Sequence, residues 1–272
     1  MRKHKWRILL LVLVVVLLSI VSSRVSPSLP TPEDTSVSTP GNTDNPAVTP
    51  SVPDDVTLPG VSPSAEPEEP EEPKYDLPDI SIHEWNLKLV NNKNYLTESF
   101  APDVSEVMNG QYFDSRAVDA LNALIQGAAK NGYNTYISTA YRPYSTQAYI
   151  FFGKASQIAW GGEVEYAEAE VLARELVAYP GTSEHQLGLA VDIVDSSETY
   201  LVAEDVENMP LLLWLKEHCH EYGFILRYPK DKEEITGWYE PWHFRYVGLD
   251  AAKFMVENNL CLEEFIDLYL PN

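Results

Sequence analysis

The chain has 272 residues, 44% of them hydrophobic, and a formal net charge of −22. Such acidity excludes the basic face that phosphate binding needs, so nucleic acid is not an expected partner. Two cysteines, neither in a CxxC-type spacing, exclude a disulfide framework and a thiolate metal site.

Residues 1–7, MRKHKWR, are basic, and residues 8–21, ILLLVLVVVLLSIV, are almost wholly apolar. This is the layout of a secretory signal or a signal anchor. The apolar run is short of the ~20 residues that span a bilayer comfortably. No A-x-A site follows it, nor a cysteine to carry a lipid. The expectation for residues 1–23 is an uncleaved anchor with its positive end inside; a cleaved signal peptide is the alternative. Either one exports the remainder, so the expected location is extracytoplasmic, anchored in the cell membrane or secreted.

Residues 24–75 are dominated by proline, serine, threonine and acid. Such a segment buries too little apolar surface to offset its ordering entropy, which predicts a disordered linker. Residues 24–80 hold 12 acids and 2 bases, nearly half of the net charge, so the acidity says little about any site. The linker reads as a spacer, reaching on the order of 40 Å as coil and ~150 Å as polyproline, or as a plain solvated tail.

From Asp76 aromatic residues become frequent, and residues 76–272 suffice for one domain with a sizeable core. WNLKLVNN (85–92) reads as a strand. Residues 115–131 read as a helix, with Val118, Leu121, Leu124, Ile125 and Ala128 at helical spacing and Gly132 beyond its end. TYISTAYR (135–142) alternates as a strand does. Ser145 can cap a helix to about Gln157, and 163–178 reads as a further helix ended by Pro180 and Gly181. Leu189–Val194 reads as a strand. Asn208 can cap the helix PLLLWLKEHCHEY, which stops at Gly223. FILRY (224–228) reads as a strand, PKDKEEITG as a polar loop, WHFRYVG (242–248) as a strand and 249–270 as helical. Without regular βαβ alternation, this order predicts an α+β fold: helices packed on a small, mainly antiparallel sheet. Cys219 and Cys261 are either paired or buried as free thiols, the exported location permitting a disulfide.

Six histidines bound the metal chemistry. His4 lies in the N-terminal segment and His83 before the first expected strand. His218 and His220 are two apart on one helix and point to different sides. His185 and His243 remain, each beside a strand-like run with a carboxylate near. In GTSEHQLGLAVDIV (181–194), Gly188 permits a tight bend between His185 and Asp192. The apolar flanks of Asp192 make it a half-buried carboxylate, which needs a cation or good hydrogen bonds. Glu240 and His243 lie three apart around Pro241, so that one can bind a metal while the other acts on water. Three protein ligands with an open position is the arrangement of hydrolytic zinc.

The runs SEHQLGLAVD and EPWH resemble the S-x-H-x-x-G-x-A-x-D and E-x-W-H signatures of the VanY-type D-alanyl-D-alanine carboxypeptidases. GFILRYPKDKEEITG and STAYRPYSTQ resemble the same family's segments, so the likeness covers roughly 85–265. The resemblance implies zinc held by His185, Asp192 and His243, with Glu240 as general base and acid. It implies Arg142 at the substrate's polarised carbonyl or its carboxylate, and Ser183 and Gln147 holding the substrate's C-terminal end. Tyr141, Arg227, Trp242 and Arg245 fall to supporting roles, with Arg245 a candidate partner of Asp192 or Glu240. The implied reaction removes the C-terminal D-alanine from peptidoglycan stem pentapeptides, and the implied partners are that stem peptide and a membrane. An L,D-carboxypeptidase on tetrapeptide stems would use the same metal set. An endopeptidase, a non-catalytic wall-binding module and a structural zinc site are the weaker alternatives.

Overall fold

A computed structural model describes residues 75–162, 164–197 and 202–270. The expected membrane segment (1–23) and the linker up to residue 74 lie outside the described residues. Among the described residues no helix is long and apolar enough to cross a membrane. In chain order the strands are β1 (Val104–Glu106), β2 (Tyr112–Asp114), β3 (Thr135–Thr139), β4 (Ala190–Asp195), β5 (Phe224–Tyr228) and β6 (Glu240–Tyr246). The main helices are α1 (Val118–Lys130), α2 (Tyr144–Trp160), α3 (Tyr166–Arg174), α4 (Pro210–His218), α5 (Leu249–Glu257) and α6 (Leu262–Asp267). The class is α+β, as expected.

Strands β3-β4-β6-β5 form one antiparallel sheet, and β1-β2 a separate antiparallel pair. Side chains alternate across a strand, so each strand of the large sheet splits its residues between two faces. Ile137, Val191, Ile193, Phe224 and Phe244 join α1 and α4 in the main core. The intervening residues Asp192, His243, Ile225, Arg227 and Arg245 therefore share the opposite face. The β4–β6 register sets Asp192 directly across from His243. The alternation that builds the core thus also gathers the polar residues. A second core, with Leu87, Ile225, Met255 and Phe265, packs α5 and α6 against that opposite face, and a third, Phe151, Ala155 and Ala173, joins α2 to α3.

Pro241 cannot donate to a ladder. It lies beyond the β4 pairing, which runs from His243 to Arg245, and where the β5–β6 register shifts between Leu226 and Tyr228.

Several elements differ from the sequence reading. Residues 85–92 form no strand: Trp85–Leu87 is a 3-10 turn, and the Asn86 and Lys88 carbonyls accept from the buried Arg245 guanidinium. The β1-β2 hairpin was not anticipated. The expected helix 163–178 is shorter, ending at Arg174, while the one expected to Gln157 runs on to Trp160. Met209, not Asn208, caps α4, because Pro210 takes the first helical position, where its missing N–H costs nothing. The polar loop 229–237 holds two short helical turns, Lys230–Lys232 and Glu233–Thr236. The helical stretch 249–270 breaks where Asn259 turns to φ 51° and Cys261 starts α6 in a capping box with Glu264. Cys219 and Cys261 are free and buried.

Candidate metal centre and active site

The first half of the site is a single turn. Glu184–Leu187 winds as a 3-10 helix and Gly188 ends it at φ 73°. A Cβ there would stand 3.2 Å from Pro102 Cγ and 3.3 Å from the Asp114 amide nitrogen, so the close approach needs glycine. The Asp114 N–H donates to the Gly188 carbonyl at 2.8 Å, and the Arg142 N–H to the His185 carbonyl at 3.1 Å. The turn is therefore held from both sides.

His185 Nδ1 lies 2.7 Å from the Ala140 carbonyl, which fixes it as the donor nitrogen and turns Nε2 inward. That Nε2 is 3.3 Å from Asp192 Oδ2. His243 Nδ1 is 3.1 Å from Asp192 Oδ1 and 3.4 Å from Glu240 Oε2. The two imidazoles meet edge to face at 4.8 Å. One ligand atom from each of His185, Asp192 and His243 lies within 4.8 Å of the others, and all three residues are buried.

This donor set fits a zinc ion. Two imidazole nitrogens and a carboxylate oxygen are its usual ligands, and three of them leave an open position. Asp192 Oδ1 is buried and makes no hydrogen bond, an orphaned charge-bearing oxygen that a cation would satisfy. Burial alone would raise the Asp192 carboxyl, but the facing His185 and His243 hold it well below the usual carboxylate range.

Glu240 opens β6 at the pocket mouth, with 28% of its side chain exposed. Burial, above all, pushes its carboxyl up to about 7, a value suited to proton transfer near neutral pH. Arg142 reaches the pocket from the segment after β3, its Nη2 3.3 Å from Ser183 Oγ. Burial draws its pKa down, against the pull of Asp192 and Glu240. Gln147, on α2, is buried and donates through Nε2 to the Ala178 carbonyl at 2.6 Å. These residues line one cavity of about 230 Å³. Its lining also has an apolar part: Ile150 from α2, and Leu176, Val177 and Ala178 from the segment after α3. Sequence reasoning did not anticipate this part, because nothing in those four residues marks them off from helix packing. Trp242 joins the lining, whereas Tyr141 does not.

Arg245 does not pair with Asp192 or Glu240. It shares the sheet face of Asp192 but points to Glu184, with Nη1 2.7 Å from Oε1. Arg227 Nε meets the same oxygen at 2.9 Å and pairs with both Glu263 oxygens at 2.9 and 2.7 Å. The side chains of Glu184, Arg227 and Arg245 are wholly buried. Burial would raise the Glu184 carboxyl, yet the two arginines hold it far below its ordinary value. The available signal was an arginine at an inward position in each of FILRY and WHFRY. Its partner, the glutamate beside His185, was not singled out.

A family model described as VanY, D-alanyl-D-alanine carboxypeptidase, matches residues 110–249. The "Putative carboxypeptidase YodJ" of Bacillus subtilis is 38% identical over 192 residues, 66% of this chain and 67% of that protein. Among solved structures, a VanY E175A mutant in complex with Zn(II) is 38% identical with TM-score 0.58, over 67% of this chain and 99% of that one. VanYB in complex with D-alanine-D-alanine is 37% identical with TM-score 0.60, over 69% and 100%. The LdcB LD-carboxypeptidase is 38% identical with TM-score 0.56, over 66% and 84%. With the motif residues gathered at one site and the family model spanning both motifs, this chain belongs to the VanY D-alanyl-D-alanine carboxypeptidase family.

Proposed function

We propose that the protein is a zinc-dependent D,D-carboxypeptidase that removes the C-terminal D-alanine from peptidoglycan stem pentapeptides. The observation that carries the reading is the convergence of His185 Nε2, His243 Nδ1 and the Asp192 carboxylate beside Glu240, in one cavity. His185, Asp192 and His243 would hold the zinc. When bound there, it supplies Lewis acidity, polarising a carbonyl and acidifying a water.

The chain's own groups do the remainder. Glu240 takes the proton of the attacking water at a carboxylate oxygen and returns it to the leaving amine. Its position at the mouth, next to His243 but outside the cluster of three ligands, suits that shuttle. Arg142 donates to the oxygen on which negative charge develops, or to the substrate carboxylate. Ser183, within reach of the Arg142 guanidinium, adds a hydroxyl for the substrate's C-terminal end, and Gln147 steadies the same end of the pocket. The apolar wall of Ile150, Leu176, Val177 and Ala178 receives a small side chain such as the methyl of alanine and excludes water.

The N-terminal basic and apolar run supports an extracytoplasmic, membrane-anchored or secreted location, and the acidic linker supports a spacer between membrane and wall. Cell fractionation with an antibody to the folded part tests both. The likeness to LdcB keeps an L,D-carboxypeptidase as the second reading.

The deciding experiment incubates the full chain with a stem pentapeptide ending in D-Ala-D-Ala, with and without a zinc chelator. Chelator-sensitive release of one D-alanine is the expected result. Release from the tetrapeptide alone would establish the L,D reading instead, and release from neither, by zinc-loaded protein, would leave the wall-binding module.

A further inference from the structure

Two buried polar atoms behind His243 lack a hydrogen-bond partner: its own Nε2 and Glu184 Oε2. They face each other at 3.8 Å, about 1 Å beyond a charge-assisted N–H···O bond. We propose that Glu184 is a positioning residue for the metal centre, its Oε2 accepting the Nε2–H of His243. That bond fixes the tautomer whose bare Nδ1 faces Asp192. The inference rests on the reading of His243 as a zinc ligand.

Three observations carry it. First, the two imidazoles have matching surroundings. His185 turns its outer nitrogen to the Ala140 carbonyl at 2.7 Å and its inner one to Asp192. His243 turns its inner nitrogen to Asp192 as well, and its outer one faces Glu184 Oε2 at 3.8 Å, with no hydrogen-bond partner nearer. An imidazole ligand needs its outer N–H held by an acceptor, and a carboxylate there also makes the ligand more basic.

Second, the Glu184 carboxylate cannot swing away. Oε1 is gripped by Arg227 Nε at 2.9 Å and Arg245 Nη1 at 2.7 Å, and those arginines are anchored in turn by Glu263 and by the Asn86 and Lys88 carbonyls. With Oε1 fixed, the direction of Oε2 is fixed too.

Third, the ion network does not use Oε2. Both arginines contact Glu184 through Oε1 alone, so pairing with them leaves the second oxygen unexplained. A buried carboxylate oxygen with no bond is costly, and His243 Nε2 is the group that answers it.

The test uses the full chain and two readouts that need no turnover. Zinc affinity is measured by competition with a chromophoric chelator. The His243 tautomer is taken from imidazole ¹⁵N shifts of the zinc-loaded protein. Glu184→Gln keeps an oxygen for the two arginines but sets an amide N–H donor opposite Nε2. Its zinc affinity is expected to fall roughly 10–100-fold, the usual effect of losing such a partner. The expected wild-type signal is an Nε2–H imidazole, lost or displaced in the variant. Glu263→Gln cuts the same network at Arg227; it should lower the melting temperature while leaving zinc affinity unchanged. Unchanged affinity in Glu184→Gln, or equal losses in both variants, would show Glu184 to be structural only. If Glu184→Gln does not fold, the wild-type tautomer decides, because an Nδ1–H His243 in the zinc-loaded protein overturns the assignment. A wild-type chain that binds no zinc at all removes the metal reading beneath the inference.

Discussion

Glu240 and His243 sit three residues apart on one strand, yet it is His243 that meets Asp192, its Nδ1 3.1 Å from Oδ1, while the Glu240 side chain stays 28% exposed. Glu240 stays at the mouth with its carboxyl raised to about 7. Replacing it by glutamine is therefore expected to lower turnover by roughly 10²–10⁴-fold, the span of a lost general base, with zinc content unchanged by atomic absorption. Variant protein that loses both zinc and activity would make Glu240 a ligand instead. Among the described residues of the cavity lining, Arg142 is the one arginine or lysine. Arg142→Ala should reduce kcat by about 10²–10³, as removal of an oxyanion donor does; a change in KM alone would assign it to ground-state binding. The cluster of His185, Asp192 and His243 was legible in part: few histidines competed and each had a carboxylate near, while the choice of His243 over Glu240 as ligand came from the family resemblance. Glu184 was not, since its meaning depends on Arg227 and Arg245, 43 and 61 residues further on. A glutamate beside a histidine looks like any surface acid until those two arginines are seen to be buried.

At the level of elements, the register of β4 against β6 is what unites the two motifs. Asp192 stands opposite His243 and Ala190 opposite Arg245. Shifting the pairing by one residue would send every side chain to the other face and dissolve both the core and the site. Arg245 bolts this face down through Glu184, Asn86 and Lys88. Arg245→Ala leaves the Glu184 charge short of a partner in a buried setting, and should cost about 3–5 kcal/mol of stability, measured by denaturant titration. A cost below about 1 kcal/mol would mean that solvent enters the network. The strands expected at 135–142, 189–194, 224–228 and 242–248 were found within a few residues, at Thr135–Thr139, Ala190–Asp195, Phe224–Tyr228 and Glu240–Tyr246, because their β-branched and aromatic runs suit a sheet. The segment 85–92 was misread because its apolar residues pack while its carbonyls serve a side chain. The three-residue strands of the β1-β2 pair are too short to show a period.

For the whole molecule, the site joins the turn at 184–188 to strands far apart in the chain, so a bound ion stabilises the fold as well as the reaction. At a free zinc concentration ~100 times Kd the gain is about 2.7 kcal/mol. Chelation should then lower the melting temperature by roughly 5–10 °C for a domain of this size; an unmoved melting curve would mean weak binding. The two thiols offer a second global test. Burial pushes both Cys219 and Cys261 up to about 12, so thiolate is scarce at pH 8. Neither should react with a thiol reagent in the native protein, and both should react after unfolding without reductant. Failure to titrate two thiols in denaturant would reveal the disulfide that the folded geometry lacks.

The cavity has two walls of separate parentage. Asp192 and His243 stand on the large sheet and His185 on the turn beside it, while Ile150 belongs to α2 and Leu176 follows α3, two helices that share a small core of Phe151, Ala155 and Ala173. Leu176 is 57% exposed and Ile150 36%. They can be exchanged at little expense to folding, and no residue of the His185, Asp192 and His243 cluster moves with them. A descendant of this chain can therefore reshape the pocket that meets the substrate while inheriting the His185, Asp192 and His243 cluster intact.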